Sequence, residues 1–147
     1  WERGPVILSW ADIMETLDEP GLNVVIHEMA HKLDMLTGEV NGLPPLHRSM
    51  AVRDWSRAFS LAYNRLCRQV DLSRPTALDP YAADSPGEFF AVISEAFFET
   101  PDVVANAYPG VYAQLKAFYR QDPLARFIAS GRLPAGSGLR DPLPEDE

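Results

Sequence analysis

Cysteine is almost missing from this 147-residue chain, and Cys67 stands alone. One thiol excludes an internal disulfide framework and any multi-cysteine metal cluster. Its plain expectation is a half-buried helix position, packed as a small hydrophobe. Histidine is scarce as well, with only His27, His31 and His47. Positive charge is in deficit: 13 Lys and Arg face 21 Asp and Glu, a net charge of −8. A surface of that sign repels a phosphate backbone, so direct nucleic-acid binding is not expected. No apolar run reaches the about 18 residues that a membrane-spanning helix needs, so no membrane partner is expected either. No charged start followed by an apolar stretch is visible, and the expected setting is cytoplasmic. The chain opens at Trp1 rather than Met. That start reads as an internal cut, and the expectation is the C-terminal part of a longer protein.

What the chain does hold is an ordinary globular composition, 46% hydrophobic, enough for one packed domain over residues 1–130. Residues 131–147 are rich in Pro and Gly and end acidic, which reads as a flexible tail. Pro5 through Trp10 is a short β-prone run, expected as a small edge strand at Val6–Trp10. Helices are expected over Asn23 to Leu36, Ser49 to Val70, Ser85 to Thr100 and Gly110 to Gln121, with a short one from Pro123 to Ser130. Trp55, Phe59, Ala62, Leu66 and Val70 share one face of the second, while Arg53, Arg57, Arg65 and Arg68 read as its solvated side. Residues 102–109 read as a link. The fold class is α+β, mainly helical.

The chemistry concentrates on the first of these helices, in His27-Glu28-Met29-Ala30-His31. Four residues turn a helix by about 400°, so the two histidines project from one face, one turn apart. Imidazoles so placed bind one Zn2+ from the same side. Glu28 is rotated by about 100° from His27. It therefore lies beside the ion and serves as general base toward a water, the arrangement of metal-assisted hydrolysis. Asp34 falls on the same stripe at i+7 and is expected to support the site from its second shell.

Catalytic zinc usually keeps three protein ligands. His47 lies beside a proline-rich loop. Glu88, Glu95 and Glu99 share one face of the helix 85–100, whose remaining surface is dominated by Phe and aliphatic residues. Carboxylates on so apolar a helix call for inward partners. Ser85-Pro86-Gly87-Glu88 also reads as a helix-capping box, a second use for Glu88. From spacing alone, Glu88 and Glu95 both stay open as the third ligand. Tyr81 precedes Glu88 by one loop, and a phenol there is able to donate to the oxyanion of a tetrahedral intermediate; a packed tyrosine with its hydroxyl at the surface is the plainer reading.

Three blocks carry a resemblance: Gly4 to Trp10, Asn23 to Asp34 through the histidine pair, and Tyr81 to Glu95, followed by Tyr119-Arg120-Gln121-Asp122-Pro123-Leu124. In order and rough spacing they resemble the Mlc titration factor A family of bacterial zinc metallopeptidases. The resemblance implies a zincin-like domain of the gluzincin type, related in core to the catalytic domain of anthrax lethal factor. It implies His27, His31 and Glu88 as zinc ligands, Glu28 as general base, Tyr81 as the tyrosine facing the metal and Glu95 as a group orienting a ligand. It implies that the strand at Val6–Trp10 is an edge on which an extended peptide lies. It also implies a further N-terminal region, outside this chain.

The expected function is therefore zinc-dependent hydrolysis of peptide bonds in a peptide or protein substrate, with aminopeptidase-like action on exposed termini. The alternative is a regulatory protein, weakly catalytic or not at all, that sequesters a transcriptional repressor, the role that names the family. A zinc amidase acting on cell-wall material ranks last, because the sequence offers nothing for sugar recognition beyond scattered aromatics.

Overall fold

The computed structural model describes residues 24–131. Six α-helices follow one another: α1 Val24–Met35, α2 Val52–Asp71, α3 Pro86–Glu99, α4 Pro101–Ala107, α5 Pro109–Tyr119 and α6 Pro123–Ala129. A 3-10 turn, Pro80–Ala83, precedes α3. Among the described residues there is no strand. The expected edge strand at Val6–Trp10 and the tail from 132 onward lie outside them. No helix among the described residues is long and apolar enough to cross a membrane.

Proline sets the boundaries. Pro86, Pro101, Pro109 and Pro123 each open a helix, and Pro80 opens the 3-10 turn. The first helical position needs no N–H donor, and a fixed φ near −65° is already helical there. This corrects one expectation: residues 102–109, read as a link, contain α4. Seven residues with neighbouring valines, Val103 and Val104, offer neither the length nor the propensity for a periodic pattern to show. Pro101 therefore ends one helix and begins the next, with Thr100 between them donating its N–H back to Ala96 O.

The organising element is α3. Gly87, Phe89, Phe90, Ala91, Val92, Ile93, Ser94 and Phe97 are all buried, so almost the whole circumference is covered. It touches α1, the 3-10 turn, α4 and α5, while α2 packs on α5 and on the 3-10 turn. The core between them is aromatic. Trp55 stacks on Phe59 with centroids 4.2 Å apart, and Trp55 and Phe59 both meet Phe90 from the side. Offset and edge-on ring contacts of this kind add to the burial of their area. The face expected on α2 is the buried one at Trp55, Phe59, Ala62 and Leu66. Arg53, Arg57 and Arg68 are exposed as expected, whereas Arg65 is half-buried. Its guanidinium donates to Ala107 O at 2.9 Å and lies 5.5 Å over the Tyr108 ring, at the α4–α5 junction. Cys67 is half-buried, with Sγ 3.9 Å from Ala83 O.

The last two helices meet through Asp122. Its carboxylate accepts from the Tyr112 hydroxyl and from Ala125 N, capping α6, with Lys116 Nζ at 3.3 Å. The Tyr112 hydroxyl holds the Asp122 carboxyl below its ordinary value of 3.8, while burial and this carboxylate push Tyr112 up to about 12. A carboxyl whose folded pKa is lowered stabilises the fold above its unfolded pKa, and that contribution fades as pH falls through the folded value. Acid unfolding of Tyr112→Phe should therefore lose less stability below pH 3.8 than the parent loses, as read by urea midpoints across an acid pH series.

Candidate metal centre

The two histidine rings emerge from the middle of α1, on the face that meets α3. Ala30 lies between them on that face and is fully buried; Ala91, fully buried as well, lies between Glu88 and Glu95 on α3. Small residues on both facing stripes let the helix backbones approach, so that the longer side chains above and below meet across the seam.

Four side chains meet there. His27 Nε2 and His31 Nε2 are 3.1 Å apart. Glu88 Oε2 is 3.3 Å from His27 Nε2, and Glu88 Oε1 is 3.1 Å from His31 Nε2. On the outer side of the first ring, His27 Nδ1 donates to Glu95 Oε2 at 3.4 Å. A carboxylate only accepts, so this contact places the proton on Nδ1 and leaves the Nε2 lone pair facing the other two residues.

Do these residues fit a metal ion? Tetrahedral bonds of about 2.0–2.1 Å put ligand atoms roughly 3.3–3.4 Å from one another. The two imidazole nitrogens are 3.1 Å apart, each has one Glu88 oxygen at 3.1–3.3 Å, and one ligand atom from each residue lies within 4.8 Å of the others. Glu88 Oε2 is buried with no hydrogen-bond donor, although a buried carboxylate oxygen normally has one. A cation at the centre of the three would supply the missing partner. Among the described residues, His27, His31 and Glu88 form the one group of His, Cys, Asp or Glu side chains able to hold a metal ion. Two imidazoles and one carboxylate suit zinc by ligand type.

The two uses foreseen for Glu88 are divided between its backbone and its side chain. Ser85 Oγ accepts from Glu88 N at 3.1 Å and caps α3, while the Glu88 carboxylate turns to the histidines. Glu95, the other candidate from spacing, meets His27 from outside the cluster. His47 is far from it: its Nε2 donates to Phe118 O at 2.7 Å, and its ring lies against Phe118. Glu28 is exposed, next to the first histidine and off the ligand stripe.

Tyr81 sits in the 3-10 turn and is 54% exposed. Asp79 Oδ1 accepts from Tyr81 N at 2.9 Å, and the Tyr63 hydroxyl donates to Ala83 O at 3.1 Å, fixing the turn on α2. The Glu88 charge is the chief cause that raises the Tyr81 phenol above its ordinary pKa. Asp34 is fully buried. Burial raises its carboxyl, against the amides of Gly42, Asn41 and Leu43 and the neighbouring charge of His31. Its hydrogen bonds go to the loop after α1, from Gly42 N at 2.8 Å and Asn41 N at 3.3 Å.

A loop at Gly38 to Leu46 agrees with the sequence; its contact with the first turn of α3 is what sequence reasoning missed. The available signal was glycine: Gly87 is the second residue of α3, and a Cβ there would stand 2.6 Å from Val40 Cγ1.

With this geometry in hand, the comparison with known sequences is decisive. The profile of the family described as glucose-regulated metallo-peptidase M90 matches residues 1–120. The chain belongs to the M90 metallopeptidases. Mlc titration factor A of Yersinia enterocolitica is 46% identical over 132 residues, covering 86% of this chain and 48% of the relative. The proteins of the same name in Yersinia pestis and Yersinia pseudotuberculosis are 45% identical over 130 residues, covering 86% of this chain and 47% of each relative. The chain thus spans about half the length of the curated relatives it matches. Within this M90 member, Glu95→Gln should keep the fold but lower Zn2+ affinity about 10- to 100-fold, measured by competition with a chromophoric chelator.

Proposed function

We propose that this chain is a zinc-dependent peptidase whose ligands are His27, His31 and Glu88. The observation that carries the reading is the convergence of these three side chains at ligand separations, with Glu88 Oε2 lacking any other partner. Membership of a metallopeptidase family supports it. When bound, Zn2+ would supply Lewis acidity, acidifying water and polarising the scissile carbonyl.

The remaining chemistry belongs to the chain's own residues. Glu28, solvent-accessible beside the ligand face, receives the proton of the attacking water and delivers it to the leaving amine. Tyr81, exposed at the rim, donates its phenolic hydrogen to the oxygen that gains charge as the carbonyl becomes tetrahedral. A phenol keeps that hydrogen at neutral pH. Glu95 holds His27 in the tautomer that aims Nε2 inward. Asp34 supports the same helix from its far end. Action on exposed peptide termini, in the manner of an aminopeptidase, and work in the cytoplasm complete the proposal.

The name shared by the Yersinia relatives favours a second role. A chain 46% identical to a Mlc titration factor is a candidate to bind a repressor protein of that kind, and an acidic protein suits a basic, DNA-binding partner. The two roles are compatible on one surface.

The test is cleavage of a mixed-peptide library, followed by mass spectrometry. The parent should cut, the chelated parent should not, and Glu28→Gln should lose about 10²-fold or more in rate while retaining one Zn2+ per chain. Full activity in zinc-loaded Glu28→Gln would remove Glu28 from the base role. No cleavage by a zinc-loaded parent would leave the binding role as the better reading, to be checked by co-purification with the repressor.

A further inference from the structure

We infer that the loop between α1 and α2 is a positioning element for the metal centre, setting the distance between the helix that carries the histidines and the helix that carries Glu88. The inference rests on the metal-centre reading above and adds to it residues that touch no ligand.

The loop is anchored at one residue, Gly42, from two sides. Gly42 N donates at 2.8 Å to Asp34, three residues beyond His31 on α1. Gly42 O accepts at 3.0 Å from the indole nitrogen of Trp55 on α2. Asp34 and Trp55 are both almost entirely buried, at 0% and 1% exposure, so neither bond has water to compete with it. Asn41 N adds a second donor to Asp34 at 3.3 Å, and the Thr37 hydroxyl lies within hydrogen-bond distance of Asp34 O and Leu43 O, at 3.0 and 2.9 Å.

From that anchor the loop reaches α3 at two glycines, Gly42 against Pro86 and Gly87 against Val40. Gly42 has φ +81°, a conformation in which a side chain is strained, and a Cβ there would stand 2.8 Å from Pro86 O. At Gly87, a Cβ would stand 2.6 Å from Val40 Cγ1 and 3.0 Å from Val40 O. Two glycines thus let the loop lie directly on the first turn of α3, one residue from Glu88. The path from His31 through Asp34 and Gly42 to Pro86, two residues before Glu88, contains no long flexible side chain. Metal ligands must meet within a few tenths of an ångström, and a short stiff path between their two backbones supplies that tolerance. A loop serving stability alone would have no need to touch both ligand helices beside their ligands.

The inference has a reciprocal consequence. If the closed loop favours the metal, the metal favours the closed loop by the same factor. Amide hydrogen exchange at residue resolution on the intact chain, with and without saturating Zn2+, reads this directly. The Asn41 and Gly42 amides should slow about tenfold or more on zinc binding. The Leu124 amide, bonded to the Tyr112 hydroxyl at 3.1 Å at the far junction of α5 and α6, should not change. Zinc binding without slowing at residues 41 and 42, or with equal slowing at Leu124, would overturn the inference. In parallel, Asp34→Asn places a donor where two backbone donors now point, and its Kd for Zn2+ should rise about tenfold; an unchanged Kd would count equally against the loop. A parent chain that takes up no zinc would instead overturn the metal-centre reading, and this inference with it.

Discussion

A helix buried around almost its whole circumference leaves a carboxylate few directions to face, and the rest of this structure follows from that restriction on α3. Charged groups cannot be left in an apolar interior without partners, because desolvation costs several kcal/mol for each. Phe89, Phe90, Ile93 and Phe97 are covered by the neighbouring elements. Glu88 and Glu95 are directed to the remaining seam, where α1 offers two imidazoles. Packing and chemistry are therefore one arrangement: the aromatic core that holds α3 in place also aims its carboxylates.

The seam has its own geometric demand. Ala30 and Ala91 bring two helices together, and close helices fix a short reach for the side chains above and below them. Histidine and glutamate span that reach. Around them the division of labour is spatial. Glu95 stands outside His27, Glu28 stays in solvent, and the 3-10 turn carries Tyr81 at the rim. The polar groups of the centre thus run from half-buried histidines and Glu88 to exposed groups able to exchange protons with water.

Much of the candidate site was legible in the sequence because helical periodicity is local. His27 and His31 at i and i+4 had to share a face, and Glu88 and Glu95 at i and i+7 had to share another. That Glu88 rather than Glu95 completes the cluster was not legible from spacing, since both satisfy it; the choice depends on the axial offset of two helices far apart in sequence. Family resemblance supplied Glu88, which lies with His27 and His31 in a group that could hold a metal ion. The helix α4 was missed because a seven-residue helix made of small and β-branched residues leaves no periodic trace. The packing of the loop after α1 on α3 was missed for a different reason. Its information resides in glycines, whose signal is the absence of a side chain, and an absence acquires meaning only once the neighbour it admits is known.

The prolines that open four helices and the 3-10 turn have an effect beyond marking boundaries. Each restricts φ in the unfolded chain at a position where the folded chain needs the same angle. Stabilisation of this kind, about 0.4–1 kcal/mol per site, acts by narrowing the ensemble from which folding starts. It corresponds to no contact and no hydrogen bond. A seam lined by half-exposed polar groups gives up apolar contacts there; chain stiffness written into the joints is a source of stability that such an opening does not touch.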